Sequence, residues 1–258
     1  MTVRRRAFVT LLASGIAVVA VAGCGGADAQ RAPVERKAFA FAGGALTIDS
    51  DDSKLVIAPA DIDEVRVERQ VDGWVFMGSG PEASWKLVDG RLTLRVVCDA
   101  VAASCAAVHR IQVPRRVTVT VEEDNGGVVA EGLSTPLKVR SGNGNVRVVG
   151  ASADLDLGSD NGSVVVEGSV TAPRVTARSG PVRSGNGDVR ITLGAVPRAV
   201  DVVTDNGDVT VGLPTAVYEV SGSSGNGRVR LGVPRGDGSG RSVNLRSNNG
   251  DVTARTVN

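Results

Sequence analysis

The carboxylates beside the Asn-Gly pairs are the side chains with the most potential for chemistry in this chain. Asp188 and Asp208 each lie two residues after such an asparagine, and Asp205 comes directly before one. Carboxylates brought together in this way could bind Ca²⁺, which prefers six to eight oxygen ligands. A pair of them could also cleave a glycan by acid/base catalysis. Because Asp and Asn also favour turns for local reasons, the simplest interpretation is that these side chains face water.

Other catalytic chemistry has little support in the sequence. His109 is the only histidine, and it shares its alternation with Ile111 and Val113, which places it toward a core. No serine stands in the G-x-S-x-G pattern of a hydrolase elbow. No glycine-rich turn continues as the G-x-x-x-x-G-K-[ST] phosphate loop. We therefore predict no catalytic residues, no cofactor and a non-enzymatic protein.

Two of the three cysteines, Cys98 and Cys105, stand close together and would enclose a short loop. In an exported protein such a pair predicts a disulfide. A two-thiol metal or redox site is the alternative, but the chain has no second cysteine pair to complete it.

The N-terminus has the features of an export signal. Arg4, Arg5 and Arg6 precede an uncharged apolar run over residues 7–22, which is marginal in length for a permanent membrane span. A basic start, a short apolar run and small residues at its end are typical of a secretory signal peptide, here residues 1–23. Arg5-Arg6 also resembles a twin-arginine motif, so both the twin-arginine and the general export routes stay open.

The third cysteine, Cys24, ends the sequence Val21-Ala22-Gly23-Cys24, which resembles a lipobox. In lipoproteins this motif implies cleavage before the cysteine and a diacylglycerol group on its sulfur. The resemblance thus implies a lipid anchor at Cys24 on the extracytoplasmic face of the cell membrane, with membrane lipid as its partner. Residues 24–37 are small and polar, and we interpret them as the lipidated cysteine and a flexible tether.

Composition favours strands and gives no sign of a charged partner. Residues 1–23 hold three of the 29 basic residues and none of the 28 acidic ones, so the remainder is close to neutral and no nucleic-acid partner is expected. Only four Phe, two Trp and one Tyr accompany 33 glycines. Valine together with frequent Gly, Asn and Asp turns is typical of strands.

The second half of the chain is a repeat marked by Asn-Gly at steps of 18 to 25 residues, at positions 125, 143, 161, 186, 206, 226 and 249. Four positions around most of these asparagines, at −6, −4, +3 and +5, are apolar. Two units deviate: Gly180 falls at −6 of Asn186, and Gly222 falls at −4 of Asn226, beside an apparent insertion of Ser223-Ser224. Each unit is therefore predicted to be a strand, a tight turn and a strand.

The repeat is compatible with two architectures. In an antiparallel hairpin array, both apolar sets of a unit share one face. In a right-handed β-solenoid, each unit is one coil of about 18–25 residues, equivalent strands pair in parallel, and the asparagines stack as a ladder. We favour the all-β solenoid because corner loops absorb irregular steps easily. The predicted organisation is an N-terminal β region over residues 38–120, which holds the disulfide and the start of the solenoid, and the repetitive solenoid over residues 121–258.

The cysteine pair, the segment Val108-His109-Arg110-Ile111-Gln112-Val113-Pro114 and the repeated S-x-N-G-x-V-x-V resemble the bacterial putative-adhesin domain family of unknown function. The resemblance covers about residues 38–258. It implies a β-solenoid, a cell-surface setting and, in some relatives, links to envelope stress. The lipobox, the repeat and the lack of catalytic groups favour a non-enzymatic scaffold or binding module for a cell-wall polymer or an envelope protein. An envelope-stress or signalling accessory bound to a membrane partner is the alternative, ahead of a glycan-cleaving β-helix enzyme. The resemblance brings no catalytic residues.

Two further segments lie at the predicted ends of the solenoid. Trp74-Val75-Phe76-Met77-Gly78 concentrates aromatic mass and is expected to plug the N-terminal end of the core; the alternative is an exposed binding patch. Residues 252–257 are expected to form the last coil, with an open edge that could pair with another chain.

Overall fold

The structure, a computed structural model, describes residues 27–168, 170–179 and 186–257. The predicted signal peptide and the predicted lipidation site, Cys24, lie outside the described residues. Within them the regular elements are nineteen strands and one short 3₁₀ helix, Ala29–Arg31. The strands are β1 (Glu35–Ala40), β2 (Ala45–Ser50), β3 (Ser53–Ala60), β4 (Glu64–Val88), β5 (Arg91–Pro114), β6 (Thr118–Glu123), β7 (Val128–Glu131), β8 (Leu137–Ser141), β9 (Val146–Val149), β10 (Leu155–Ser159), β11 (Val164–Glu167), β12 (Arg174–Ser179), β13 (Val189–Thr192), β14 (Ala199–Thr204), β15 (Val209–Leu213), β16 (Glu219–Ser224), β17 (Val229–Gly232), β18 (Ser242–Ser247) and β19 (Val252–Thr256).

The strands stack as coils. Each coil consists of one strand before a corner turn and one strand after it. Equivalent strands of neighbouring coils pair in parallel and in the same register: Leu155 of β10 lies between Leu137 of β8 and Val175 of β12. The solenoid prediction is therefore confirmed, and the hairpin array is wrong for the repeat. One sheet runs through both predicted regions of the chain, because β6 and β7 pair directly with β2 and β3.

The core follows the apolar template of the repeat. The residues at −6, −4, +3 and +5 around Asn161, for example, are all at most 2% exposed: Leu155, Leu157, Val164 and Val166. Around Asn186, where the template fails in sequence, Val175 and Ala177 fill the core positions of β12. Burial of these stacked apolar rows is the main source of stability for coils that could not fold alone.

The N-terminal end of the stack is covered by a long antiparallel hairpin, β4–β5. Its turn lies at Asp89 and Gly90, which both have positive φ angles, 48° and 75°. β5 pairs in parallel with β2 through its first residues and with β3 through its last ones. β4 lies on the outer side of β5, and β1 pairs antiparallel with β4. The hairpin thus caps the first coil, which shields its apolar core from water.

Trp85 fills the N-terminal end of the core, so the prediction that residues 74–78 form this plug is wrong. Trp85 packs edge to face against Phe39, with ring centroids 6.5 Å apart, and the Arg69 guanidinium lies 4.0 Å above the Trp85 ring. Trp74 and Phe76 lie farther along the hairpin and are exposed.

The C-terminal end has a non-sequential order of coils. The last coil in the chain, β18/β19, lies between β14/β15 and β16/β17, so β16/β17 is the outermost layer. Val252 is accordingly buried, and the expectation of an open edge at residues 252–257 is wrong. Gly222 pairs with Leu245 without an insertion, and a Cβ at Gly222 would come within 2.9 Å of the Leu231 side chain. The glycine therefore lets the outermost coil close.

Residues 27–37, expected to belong to a flexible tether, pack instead against the β4–β5 hairpin. Ala29 is 4% exposed, and the Gln70 side-chain amide donates to the carbonyl oxygens of Gln30 and Ala32, at 3.0 and 2.8 Å. β1 then begins at Glu35. A small polar composition suggests a tether, but here Ala29 gains buried contact and the hairpin supplies partners for the backbone.

Candidate functional site

The corner between the two strands of each coil carries the predicted asparagine ladder. In six pairs of described residues, an asparagine side-chain nitrogen donates to a side-chain oxygen of the neighbouring coil, over 2.6 to 3.1 Å. The donor and acceptor residues are Asn125 and Asp52, Asn143 and Asn125, Asn161 and Asn143, Asn206 and Asn186, Asn249 and Asn206, and Asn226 and Asn249. Asp52 stands at the start of this series, where only an acceptor is needed. A carboxylate suits that position because it accepts and cannot donate when ionised.

A second ladder of hydroxyl groups lies just inside the asparagines. The Ser159 hydroxyl donates to the Gly144 carbonyl oxygen at 2.7 Å and accepts from the Gly162 amide at 2.8 Å. Ser224 and Ser247 make the same two bonds at their corners. Glycine is needed at these corners: a Cβ at Gly144 would come within 1.8 Å of the Gly126 carbonyl oxygen. The S-x-N-G motif, repeated along the chain, thus serves the stacking of coils.

The three carboxylates singled out by the sequence serve the same stacking. Asp188 Oδ1 accepts from the Asp208 amide at 2.9 Å, and Asp208 Oδ1 accepts from the Asp251 amide at 2.7 Å. Asp205 Oδ1 accepts from the Asn248 side chain at 2.7 Å. Across the described parts of the chain, no group of three or more His, Cys, Asp or Glu side chains lies close enough to hold a metal ion. Within the described residues, Asp188, Asp205 and Asp208 are thus not grouped as the possible cation site would require.

Glu123 takes the place of the ladder hydroxyl at one corner and was not singled out by the sequence. The side chain is 3% exposed, and Oε1 accepts from the Gly126 amide at 2.8 Å and from the Ser53 amide at 3.2 Å. Burial raises the pKa of the Glu123 carboxyl to about 7, against the lowering effect of these hydrogen bonds. The carboxyl is therefore partly protonated near neutral pH.

His109 points into the core, as its alternation predicts. It is 0% exposed, and within the described residues neither ring nitrogen has a hydrogen-bond partner. Burial, helped by the positive charge of Arg69, lowers the pKa of His109 to about 4. The ring is neutral at pH 7 and has no access to a substrate in solution.

The predicted disulfide between Cys98 and Cys105 is confirmed, and it clamps a bend in the β4–β5 hairpin. Seven residues of extended strand would span roughly 23 Å, yet the Cα atoms of the two cysteines lie 6.6 Å apart. We call this bent part, residues 73–80 of β4 and 97–105 of β5, the corner ribbon. It stands where the neighbouring coil has only a tight turn, since β5 leaves β2 after Leu94 and joins β3 at Ala107.

The corner ribbon exposes large apolar side chains. Trp74 is 40% exposed, Phe76 59%, Met77 72% and Val101 79%. Solvent-exposed apolar clusters of this kind mark interaction sites more often than isolated apolar residues do. The exposed patch, which was the alternative interpretation of residues 74–78, is the arrangement that the structure shows.

The first described residues lie against this ribbon. The Ala27 amide donates to the Ser104 hydroxyl at 3.2 Å, and the Asp28 amide donates to Asp72 Oδ2 at 2.7 Å. Ser104 is the register partner of Trp74, so their side chains share one face of the ribbon. The first described residues therefore meet the fold beside the exposed apolar side chains of the corner ribbon.

Comparison with known proteins supports the fold. The chain matches no family model, and no curated protein is similar to it in sequence. It is similar in structure to a "putative adhesin" from Bacteroides fragilis, with a TM-score of 0.52 at 14% identity over 87% of this chain and 97% of that one. Two further solved structures are a "putative adhesin" from Parabacteroides distasonis (TM-score 0.40, 15% identity, 88% and 98% covered) and a "putative cell adhesion protein" from Clostridium sporogenes (TM-score 0.38, 11% identity, 87% and 100% covered). The fold implied by the family resemblance is thus confirmed.

No helix in the described part of the chain is long and apolar enough to cross a membrane.

Proposed function

We propose that this protein is a lipid-anchored cell-surface lipoprotein that acts as a non-enzymatic, adhesin-like scaffold or binding module. The observation that carries the proposal is the β-solenoid fold, which the chain shares with the "putative adhesin" from Bacteroides fragilis. The full stack, from β1 at one end to β16/β17 at the other, is roughly 50 Å long at the spacing of β-strands. It would present a rigid repetitive surface to a cell-wall polymer or an envelope protein.

The chemistry of the corners supports a scaffold over an enzyme. The candidate carboxylates Asp188, Asp205 and Asp208 already accept hydrogen bonds from neighbouring coils. The single histidine is buried and neutral. Polar groups used in this way hold the stack together, and an acid/base pair for glycan cleavage would need carboxylates free to exchange protons with a substrate.

The disulfide and the N-terminal motif support the surface location. A bonded Cys98–Cys105 pair is expected outside the cytoplasm, where thiols are oxidised. Lipid on Cys24 would then hold the fold at the outer face of the membrane, with two acyl chains for stable attachment. Cell-wall polymers and envelope proteins are the partners within reach of such an anchor.

The anchor is tested by fractionating cells that produce the full-length protein or its Cys24→Ala variant. We expect the unaltered protein in the membrane fraction. It should also be cleaved by protease added to cells whose outer layers have been opened and whose cytoplasmic membrane is intact. The Cys24→Ala variant should be absent from the membrane fraction. The Gly26→Ala variant, which keeps the cysteine, should remain in it. Equal membrane recovery of the Cys24→Ala and unaltered proteins would refute lipid anchoring.

The binding role is tested on the same cells. Cells with the anchored protein should retain more labelled cell-wall polymer, or more of an envelope protein crosslinked in place, than cells without it. Cells with Gly26→Ala should behave as the unaltered cells do. Equal retention by cells with and without the protein, across wall polymers and envelope proteins, would contradict the binding role while leaving the anchor intact.

A further inference from the structure

The corner ribbon differs from the rest of the molecule in its charge. Residues 73–80 and 97–105 contain one charged side chain, Asp99, whereas the whole chain is 22% charged. Apolar and small residues occupy nearly all other positions of the ribbon. A surface with this composition is costly to expose to water and is cheap to transfer to a less polar surrounding.

The exposed apolar side chains lie on both faces of the ribbon near its bend. Trp74 and Phe76 share one face with their partners Ser104 and Ala102. Val75 and its partner Ala103 point to the other face. Exposed side chains thus lie on both faces at the bend, with Phe76 on one face and Ala103 on the other.

The position of Cys24 indicates which medium would surround the ribbon. Ala27 is fixed on the Trp74 face through Ser104. Three residues of fully extended chain span at most about 11 Å, so the sulfur of Cys24 cannot lie far from this face. Acyl chains on that sulfur would enter the bilayer beside the ribbon.

We propose that the corner ribbon lies in the interface of the membrane, beside the acyl chains on Cys24, with Trp74, Phe76, Met77 and Val101 among the lipids. This inference rests on the proposed lipid anchor. Aromatic side chains, tryptophan above all, are enriched at this depth of a membrane, because their rings combine apolar area with a polar edge. The disulfide holds the bend in place, so little conformational entropy is lost when the ribbon enters the interface.

The contact would orient the solenoid. The ribbon belongs to the hairpin that covers the N-terminal end of the stack, and β16/β17 forms the opposite end. A ribbon held in the interface would therefore keep the hairpin end of the stack at the membrane.

The two tryptophans allow a direct test with an internal control. The full lipidated protein is placed in vesicles of phosphatidylglycerol and phosphatidylethanolamine whose acyl chains carry bromine, which quenches tryptophan at short range. Trp85→Phe leaves Trp74 as the only tryptophan, and Trp74→Phe leaves Trp85, which is packed against Phe39. We expect Trp74 to be quenched at least about twofold more strongly than Trp85, since only Trp74 is placed at the interface.

The possible results separate this inference from the anchor. Flotation with the vesicles and strong quenching of Trp74 support both. Flotation with equal, weak quenching of the two tryptophans overturns the ribbon contact and leaves the anchor standing. A protein that does not float refutes the anchor itself. In living cells a photocrosslinker at Phe76 should join lipid; a crosslink to a protein instead would assign the ribbon to a protein partner and overturn the membrane contact.

Discussion

Glu123 places a carboxyl group at a corner where other coils use a hydroxyl, and this substitution makes stability depend on pH. Its folded pKa of about 7 lies above the ordinary value of 4.5. The folded state therefore holds its proton more tightly than the unfolded state does. Stability from this group is present below the unfolded pKa and is lost as pH rises through the window from about 4.5 to 7.

His109 has the opposite effect over nearly the same window. Its folded pKa of about 4 lies below the ordinary value of 6.5. Between these two pH values the histidine of the unfolded chain binds a proton, and the buried ring of the folded chain does not. Stability from this group is present above about pH 6.5 and is lost as pH falls toward 4. The two slopes cancel between pH 5 and 6.5, so these two residues together leave the free energy of unfolding flat there.

Replacing Glu123 uncovers the slope of His109. For Glu123→Ser, whose hydroxyl can accept from the Gly126 amide, we expect the free energy of unfolding to rise by about 2 kcal/mol from pH 5 to 6.5 relative to the unaltered protein. Urea unfolding at a series of pH values measures this. Glu131→Ser, at an exposed position of β7, is the matched control and should keep the original profile. An unchanged profile for Glu123→Ser would show that this carboxyl ionises normally.

Replacing His109 uncovers the slope of Glu123. For His109→Leu we expect the free energy of unfolding to fall by about 2 kcal/mol from pH 5 to 6.5 relative to the unaltered protein. The double variant with Glu123→Ser should be flat again, which the same urea titrations would show. A His109→Leu profile that rises with pH would contradict the buried, neutral histidine.

The sequence predicted one of these two residues and missed the other. The alternation around His109 points it inward, and the structure agrees. Glu123 is the last residue of β6, and Ser141 and Ser159 occupy the same position in the next coils. Burial of a glutamate there conflicts with the usual preference of charged residues for water. Only the coil stacking, which brings the Ser53 and Gly126 amides to its carboxyl, explains it.

At the scale of elements, the asparagine ladder is the feature that the repeat encodes most directly. In the middle of the ladder Asn143 both donates to Asn125 and accepts from Asn161. For Asn143→Asp we expect a loss of about 1–2 kcal/mol in the free energy of unfolding at pH 7, because the carboxylate cannot donate and faces an oxygen. The change is measured by urea unfolding.

Asp52→Asn is the matched control for the ladder. Asp52 only accepts a hydrogen bond, from Asn125, and an asparagine retains that acceptor. We expect its stability to change by less than about 0.5 kcal/mol, as for other surface substitutions. Equal losses for Asn143→Asp and Asp52→Asn would contradict a directional ladder.

The disulfide acts on the corner ribbon and hardly on the solenoid. In the double variant Cys98→Ser/Cys105→Ser, we expect amide hydrogen exchange to speed up over residues 73–80 and 97–105, since the clamp on the bend is gone. Strands β8–β11 should keep their protection, because their parallel pairing does not involve the ribbon. Exchange followed by mass spectrometry measures both regions. Uniform loss of protection along the chain would contradict a local role.

The β4–β5 hairpin shows where sequence reasoning about elements stops. The apolar alternation and the Asp89-Gly90 turn signal strands in this region, and both are present. The length of the pairing was not predictable, because residues 95–106 leave the coil register and follow no repeat template. The apolar segment at 74–78 was expected inside, since burial is the usual place for aromatics, and Trp85 took that position instead.

At the scale of the whole molecule, periodicity predicted the solenoid, and the order of its layers could not be predicted. The coils present similar apolar rows and corner groups, so the repeat spacing alone does not say whether β16/β17 or β18/β19 stacks on β14/β15. Val220 and Leu231 are only partly buried, and Gly222 leaves one of the core positions of β16 without a side chain. These features suit an end layer. The β18/β19 coil, whose core positions are all apolar, takes the inner place.

The same scale holds the functional account: a rigid stack, covered by a hairpin at one end, whose apolar ribbon meets the chain that follows Cys24. Lipid on that cysteine is the premise of the surface location and of the membrane contact. Mass spectrometry of the N-terminal peptide, taken from the protein isolated in its own membrane, tests this premise most directly. We predict a chain that begins at Cys24 and carries diacylglycerol on the sulfur. A chain that begins elsewhere, or a Cys24 with a free thiol, would contradict the account.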